Sequence, residues 1–305
     1  MKIAIFGSGG VGGYFGARLA AAGDDVTFLA RGAHLKAMQE TGLQIDSPNG
    51  AIDLPKVQAT DRPQAVGPVD VVLFTVKLYD VDAAAATLRP LIGPDTVVIT
   101  LQNGVEAMDM VSKHVGADHV AGGAAYIVVV VDRPGHLRHT TAQSLVFGER
   151  DCRRSARLVA FEEACTRAGF KGKASTDVET DLWVKFIRLS TWSGMTTVTR
   201  SPMGVVRDDA ALFKMMMDAI DEAIAVGRAR GINFPPDIID STLGMIKGFP
   251  ANSKSSMLED LERGRSLELP WLSGAVVRLG RDAGVPTPVH QFITTVLTPF
   301  ANGKK

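Results

Sequence analysis

A glycine-rich stretch near the start of the chain has the composition of a phosphate-binding loop. Its glycines are spaced as G-x-G-x-x-G and directly follow the apolar run Lys2–Phe6. The first glycine of such a loop allows a tight turn, the second lets the backbone approach a pyrophosphate, and the third lets the following helix pack closely. We therefore predict that this loop binds a dinucleotide at a helix N-terminus. The predicted loop consists of Gly7, Ser8, Gly9, Gly10, Val11 and Gly12.

Arg31 follows the second predicted strand, Asp25–Ala30, where NAD enzymes carry an acid for the ribose 2′-hydroxyl. A guanidinium at this place suits a 2′-phosphate instead, so we predict NADP(H) as the cofactor. The alternative interpretation is an ordinary solvated arginine at the end of a strand.

Lys185 is the best candidate for a proton donor. It lies on a predicted helix, 177–197, whose apolar side chains include Trp183 and Phe186. A lysine desolvated in a cleft would have a lowered pKa and could act as a general acid. The alternative is an i,i+4 pair with Asp181 on a solvated helix face. The histidines offer little, since His34, for example, lies in a charged, surface-like stretch.

Two further polar residues follow predicted buried strands. Lys77 comes after Val69–Val76, and Asn103 comes after Thr96–Leu101. Because ligands of doubly wound sheets bind at the carboxyl ends of the strands, we expect both side chains at the cofactor. A surface lysine and a turn-forming asparagine remain the alternatives.

The pattern of predicted strands and helices that must position these residues indicates two domains. Residues 1–175 alternate strands and helices, which indicates an α/β fold with a Rossmann-type doubly wound sheet that binds NADP. Residues 176–305 lose the strand signal and predict an all-helical substrate and catalytic domain. The detailed predictions for residues 1–175 are a hairpin of Leu43–Ile45 and Ile52–Leu54, a helix over 80–91, and antiparallel strands over His136–Thr141 and Leu145–Gly148. The predicted helices of the second domain are 177–197, 208–230, 238–246, 255–263, 270–283 and 288–300.

Composition excludes several classes of partner. The 33 basic and 33 acidic residues balance without a long run of one sign, so we expect neither nucleic acid nor an anionic membrane as a partner. Cys152 and Cys165 are the only cysteines and indicate no disulfide framework and no metal cluster. No signal peptide or membrane-spanning run is evident, so we expect a cytoplasmic protein. A homodimer is compatible with the sequence, but no segment points to its interface.

The chain resembles the ketopantoate reductase family over nearly its whole length. The resemblance implies an NADPH-dependent 2-dehydropantoate 2-reductase of pantothenate biosynthesis. It also implies a helical second domain of the 6-phosphogluconate dehydrogenase type. The proton donor to the C2 carbonyl would be Lys185, with Glu268 close to the lysine and the cofactor, and Ser256 would bind the substrate carboxylate. The segments that carry the resemblance are Gly7–Gly12, Arg31, Val76-Lys77, Leu101–Gly104, Trp183–Lys185, Ser255–Leu261 and Glu268.

The chain departs from the family where asparagines usually bind the substrate. Leu189, Ser193 and Met203 occupy those positions, and of these only Ser193 can still donate a hydrogen bond to substrate. Three apolar residues, interpreted as either cleft lining or plain core, are Trp192, Met195 and Trp271. These departures leave two alternatives open: a reductase of another, more hydrophobic keto acid, or a catalytically silent NADP-binding protein.

Overall fold

The computed structural model describes residues 1–304 and divides them into two compact units. The first unit comprises Met1–Gln102 and Glu106–Val178. The second comprises Asn103–Val105 and the chain from Glu179 onward. The short segment Asn103–Val105 therefore leaves the α/β unit and joins the helical one.

The first unit is built on a ten-stranded sheet. Its main path runs in the order β4-β3-β9-β8-β7-β6-β1-β2-β5, and β10 pairs with β9. The strands are β1 (Lys2–Phe6), β2 (Asp25–Leu29), β3 (Leu43–Asp46), β4 (Ile52–Leu54), β5 (Gln58–Thr60), β6 (Val69–Phe74), β7 (Ile92–Thr100), β8 (Val120–Arg133), β9 (His136–Glu149) and β10 (Lys171–Ala174).

Strand β1 lies at the point where the chain changes direction across the sheet. It pairs in parallel with β2 on one side and with β6 on the other, so that Ile5 lies opposite both Phe28 and Leu73. All three side chains are fully buried, as expected for a parallel sheet covered on both faces. The predicted α/β fold with a doubly wound sheet is confirmed, and its switch point lies between β1 and β6.

The antiparallel part of the sheet is larger than the sequence predicted. The hairpin of β3 and β4 is confirmed, with Leu43 opposite Leu54. By contrast, the two short strands predicted between His136 and Gly148 are one continuous strand, β9, paired with β8 over most of its length. The predicted antiparallel strand structure is confirmed, and only the break between the two segments was wrong: Ala142 adopts a positive φ of 56° but stays within the strand.

The helices of the first unit cover the sheet. They are α1 (Gly10–Ala21), α2 (Gly32–Thr41), α3 (Val81–Ala85), α4 (Ala107–Val115) and α5 (Ala156–Arg167). The predicted helix over 80–91 was wrong, because α3 has only five residues and a 3-10 turn follows at Arg89–Leu91. Pro90 lacks the N–H that an α-helix would bond to the Ala86 carbonyl, so an α-helix cannot continue to Leu91, and Pro90 lies in the 3-10 turn instead.

The second unit is helical. Its helices are α6 (Val178–Thr199), α7 (Met203–Asp208), α8 (Ala210–Ala229), α9 (Ile238–Gly248), α10 (Ser256–Glu262), α11 (Ser273–Asp282) and α12 (Pro288–Leu297). The helix predicted over 208–230 begins two residues later than expected. The Asp209 carboxylate caps it by accepting the N–H groups of Ala211 and Leu212, each at 2.9 Å. An aspartate in this role is a strong N-cap.

A buried carboxylate joins two helices of this unit. Glu222 on α8 accepts the N–H groups of Val289 and His290 at 2.7 and 3.0 Å, at the start of α12. Burial raises the pKa of Glu222, and these two hydrogen bonds act in the opposite direction. The second unit therefore has its own polar anchor and its own apolar core around Phe186, Met195 and Ile220. None of the helices in the described chain is long and apolar enough to cross a membrane.

Candidate functional site

The glycine loop that follows β1 has the geometry of a phosphate-binding turn. Gly7 has a φ of 102°, which side chains of L-residues rarely adopt. A Cβ at Gly7 would lie 2.8 Å from the backbone nitrogen of Val76. A Cβ at Gly12 would lie 2.6 Å from the carbonyl oxygen of Gly7 and would also clash with Thr75 Oγ1. The first and third glycines are therefore required by close backbone packing.

The middle glycine differs, since a Cβ on Gly9 would meet no atom within 4 Å. Gly9 is the N-cap of α1, whose first turn holds no acidic side chain. The first N–H groups of a helix lack acceptors within the helix and carry partial positive charge, so they attract an anion. The open space above Gly9 and these N–H groups fit the pyrophosphate of a dinucleotide.

His34 fixes this loop from the side, a role that the sequence analysis missed. Its Nε2 lies 2.8 Å from the carbonyl oxygen of Ser8, and its Nδ1 accepts the N–H of Gly135 at 3.0 Å. With Nδ1 as acceptor, Nε2 must carry the proton, so the ring is neutral. Burial lowers the pKa of His34, while its bond to the Ser8 carbonyl opposes that effect. The expectation that His34 belongs to the solvated surface was wrong. The signal available in sequence was its position one turn after Arg31.

The other predicted cofactor residues of the first unit lie at the ends of strands. Arg31 is exposed and is the N-cap residue of α2. Lys77 is exposed and immediately precedes the 3-10 turn Leu78–Asp80, three residues after β6. Between β6 and β7, the Gln102 amide donates to the carbonyls of Phe74 and Val76 at 2.9 and 3.1 Å. Gln102 thereby links the end of β7 to the end of β6. Asn103 follows the first of these strand ends, and Lys77 follows the second.

Lys185 lies on α6 and is only 9% exposed. The alternative of a solvated lysine on a helix face was therefore wrong. Burial lowers the pKa of Lys185 to about 8, and the negative charge of Glu268 raises it against that effect. A buried lysine with this pKa is protonated at neutral pH and releases its proton more easily than an ordinary lysine.

Glu268 belongs to the same unit and is 6% exposed. The Asn103 side-chain amide donates to Glu268 Oε2 at 3.1 Å, across 165 positions of sequence. The structure thus brings together three of the predicted residues, Lys185, Glu268 and Asn103. This set holds a buried lysine, a carboxylate whose negative charge raises the pKa of that lysine, and an amide that donates to the carboxylate.

The two predicted serines occupy different environments. Ser193 is buried on α6, two turns after Lys185. Ser256 is exposed as the first residue of α10. Its neighbour Ser255 is fully buried, caps α10 by accepting the N–H of Leu258 at 3.1 Å, and accepts a hydrogen bond from Thr196 at 2.8 Å. The conspicuous serine pair therefore includes one residue whose role is to cap a helix.

The residues that replace polar family positions are also split between core and accessible surface. Met203 and Met195 are fully buried in the second core. Leu189, Trp192 and Trp271 are only half-buried. Of the apolar lining candidates, Met195 thus belongs to the core, whereas the two tryptophans remain accessible.

Metal ligation finds no support within residues 1–304, where no group of His, Cys, Asp or Glu has the arrangement of a metal site. Both cysteines in this part of the chain are free, Cys152 being exposed and Cys165 buried. Burial raises the pKa of the Cys165 thiol far above its usual range, so this thiol is inert.

Two sequence families match the two parts of the chain. Residues 3–151 match the family described as ketopantoate reductase PanE/ApbA, and residues 177–301 match its C-terminal family. The 2-dehydropantoate 2-reductase of Mesorhizobium japonicum is 33% identical over 99% of this chain and 98% of its own length. An uncharacterised oxidoreductase of Bacillus subtilis, YkpB, is 30% identical over 96% of both chains.

Solved structures agree in fold. The PanE/ApbA family ketopantoate reductase from Ralstonia eutropha is 31% identical, with a TM-score of 0.91 over 99% of this chain and 98% of that one. D-mandelate dehydrogenase, in a ternary structure with NADH and anilino(oxo)acetate, is 22% identical with a TM-score of 0.89, over 99% of this chain and 98% of that one. At that identity the likeness concerns the fold alone.

Proposed function

The chain belongs to the ketopantoate reductase family of NAD(P)-dependent oxidoreductases, and from this premise we propose that it catalyses the NADPH-dependent reduction of 2-dehydropantoate to pantoate, a step of pantothenate biosynthesis. The observation that carries the proposal is the buried Lys185, with its pKa lowered to about 8 and with Glu268 acting on it. A keto-acid reduction requires a proton donor of this kind beside the hydride donor.

Each residue of the site has a defined task in this proposal. Bound NADPH supplies the hydride that adds to C2 of the keto acid. Lys185 Nζ holds the proton that neutralises the oxygen of the same carbonyl, and its positive charge stabilises the developing alkoxide. Glu268 keeps Lys185 protonated by its negative charge, and Asn103 holds the Glu268 carboxylate in place. Ser193 and Ser256 are the proposed substrate contacts.

The cofactor contacts are divided between backbone and side chains. The N–H groups of residues 10–12 would hold the pyrophosphate, and Ser8 would be fixed by His34. Arg31 would bind the 2′-phosphate, while Lys77, Asn103 and Glu268 would lie along the ribose and nicotinamide side. The choice of NADPH over NADH rests on Arg31 alone.

Substitution of Arg31 tests the cofactor assignment. We expect Arg31→Ala to raise Kd for NADPH by about 10- to 100-fold, because a charge-assisted phosphate contact is worth roughly 1.5–3 kcal/mol. Kd for NADH should change little. Fluorescence titration of both cofactors gives the comparison, with the exposed Arg62→Ala as a matched control. Equal losses for NADPH and NADH would show that Arg31 does not bind the 2′-phosphate.

A panel of 2-keto acids tests the substrate. Purified protein with NADPH is assayed by loss of the reduced-nicotinamide absorbance on 2-dehydropantoate, pyruvate, 3-methyl-2-oxobutanoate and phenylpyruvate. We expect the highest kcat/KM on 2-dehydropantoate. Preference for a keto acid without the hydroxyl group would overturn that substrate and favour the second candidate, a reductase of more apolar keto acids. The half-buried Leu189, which replaces a polar family residue, and the half-buried Trp192 on the same helix favour this second candidate.

A further inference from the structure

Arg188 lies one turn after Lys185 on α6 and is half-buried. Its Nη2 donates to Ser241 Oγ on α9 at 3.2 Å. Its Nε is buried and has no hydrogen-bond partner. Among the described residues 1–304, no carboxylate forms an ion pair with Arg188. The guanidinium therefore makes one hydrogen bond within residues 1–304, and its buried Nε–H has no acceptor there.

Other half-buried arginines have more partners than Arg188. Arg18, which has no carboxylate partner, donates to the Tyr14 hydroxyl and to the carbonyls of Asn49 and Gly50. Arg157, which is also partly buried, pairs with Glu149 at 2.8 Å. Arg207, also partly buried, pairs with Asp208 at 3.0 Å. Taking a charge out of water without a counter-charge is costly, so partly buried cations are normally paired. The arrangement around Arg188 is that of a site whose anion comes from outside the chain.

The surroundings of Arg188 on α6 combine charge with apolar surface. Positions 185, 188, 189 and 192 follow the i, i+3, i+4, i+7 pattern and share one face of the helix. Leu189 and Trp192 are half-buried on that face. The Trp192 ring stacks on Phe249 with centroids 4.2 Å apart and planes at 29°. Arg188 therefore shares a face of α6 with Lys185 and with one ring of an aromatic pair.

We propose that Arg188 binds the carboxylate of the substrate, and that Leu189 and the Trp192–Phe249 pair contact an apolar side chain on its C3. The substrate class is then a 2-keto acid with a branched or aromatic group. A carboxylate and a 2-carbonyl are on adjacent carbons, and long side chains one helical turn apart can reach both. This inference rests on the proposed keto-acid reduction, and it gives Arg188 the task that the family resemblance assigns to Ser256.

Kinetics on a charged substrate and its neutral counterpart provide the main test. Wild type, Arg188→Gln, Arg188→Lys and Ser256→Ala are assayed on 3-methyl-2-oxobutanoate and on its methyl ester, at saturating NADPH. Arg188→Gln should raise KM for the acid by about 10- to 100-fold, the range for a lost charged hydrogen bond, with KM for the ester unchanged. Arg188→Lys should restore part of the preference for the acid. Ser256→Ala, at a proposed substrate contact, should change KM for the acid and for the ester to the same extent, so the acid-to-ester ratio of KM should stay at the wild-type value.

Two results would overturn the assignment. An unchanged acid-to-ester ratio of KM in Arg188→Gln excludes Arg188 as the carboxylate ligand, and loss of the ratio in Ser256→Ala assigns the carboxylate to Ser256. If Arg188→Gln does not fold, as judged by circular dichroism, the acid-to-ester ratio of KM is measured in Arg188→Lys and Ser241→Ala instead. Ser241→Ala removes the bond between α6 and α9 but keeps the cation, so the ratio must persist.

Equilibrium binding separates this inference from the proposed function. Oxamate and its neutral analogue oxamide are titrated by tryptophan fluorescence, which needs no turnover. If wild type reduces no keto acid but binds oxamate over oxamide only when Arg188 is present, the proposed function fails and the anion site stands. If wild type reduces keto acids and oxamate binds equally well with and without the Arg188 side chain, the anion site fails and the proposed function stands.

Discussion

The glycine loop after β1 and the Lys185 face of α6 perform their tasks in opposite ways. In the loop, backbone N–H groups are the proposed ligands, and side chains are nearly absent because a Cβ at Gly7 or Gly12 would collide with the backbone. On α6 the backbone is an ordinary helix, and the side chains carry the chemistry. The loop therefore depends on the absence of side chains at its glycines, whereas α6 depends on the burial and charge of its side chains.

The two regions also differ in sequence range. The loop is complete within six residues, with His34 as its distant support. The Lys185 set is assembled from positions 103, 185 and 268, which meet only when the second unit folds. Substitutions in the loop should therefore weaken cofactor affinity, whereas substitutions on α6 should lower the catalytic rate.

The largest expected effect is on rate. Lys185→Met keeps the length of the side chain but removes its proton, and it should lower kcat by about 10²- to 10⁴-fold, the usual contribution of a general acid. Kd for NADPH should stay near the wild-type value. The exposed Lys214→Met on α8 is the matched control and should behave as wild type. A near-normal kcat in Lys185→Met would remove the proton donor from the mechanism.

Two glycine substitutions test the other region, the loop after β1. Gly12→Ala should lower the free energy of unfolding by about 1–3 kcal/mol, because its Cβ would overpack the loop. Gly9→Ala should leave thermal stability unchanged, since its Cβ meets open space. It should nevertheless weaken NADPH by roughly tenfold, or about 1.4 kcal/mol, by occupying the phosphate site. Normal NADPH affinity in Gly9→Ala would argue against pyrophosphate binding at this loop.

The pH profile tests the charge balance around Lys185. Reduction needs the protonated lysine, so kcat should be level below about pH 8 and fall above it, as the pKa of Lys185 implies. The charge of Glu268 raises that pKa, and Glu268→Gln should therefore move the decline to lower pH. Asn103→Ala, which leaves the carboxylate charge in place, should shift the profile less. Identical profiles in wild type and Glu268→Gln would contradict the coupling.

The smallest expected effect concerns His34. His34→Gln should raise Kd for NADPH by about 2- to 10-fold, because a neutral hydrogen bond contributes roughly 0.5–1.5 kcal/mol net. The half-buried His119 contacts the Thr96 carbonyl rather than the loop, and His119→Gln serves as control. Fluorescence titration at neutral pH measures both. An unchanged Kd would show that the loop holds its shape without this side chain.

The parallel sheet and the glycine loop were predictable because their signals are local. A buried parallel strand is an apolar run, and the turn after β1 needs glycines at fixed positions. The continuous strand β9 was not predictable from its own residues, because its pairing with β8 overrides the weak strand tendency of Ala142 and Gln143. The helix over 80–91 was overpredicted, because its alanines favour helix, whereas α3 ends at Ala85 and Pro90 cannot extend an α-helix to Leu91.

The site itself shows where sequence reasoning stops. Lys185 was a candidate from its helix, but only burial in the folded second unit distinguishes a general acid from a solvated lysine. The contact of Asn103 with Glu268, and the lack of an ion pair for Arg188 within residues 1–304, are equally invisible in the sequence. Each depends on which elements pack together.

The sequence by itself determined the family, the doubly wound sheet and the position of the phosphate-binding loop, because those properties depend on residue type at short spacing. Tertiary structure decided the pKa of Lys185, the neutral state of His34 and the contact of Arg188 with a serine rather than with a carboxylate of the described chain. The physical reason is that solvation and charge pairing are set by neighbours distant in sequence, and these exist only once the chain has folded.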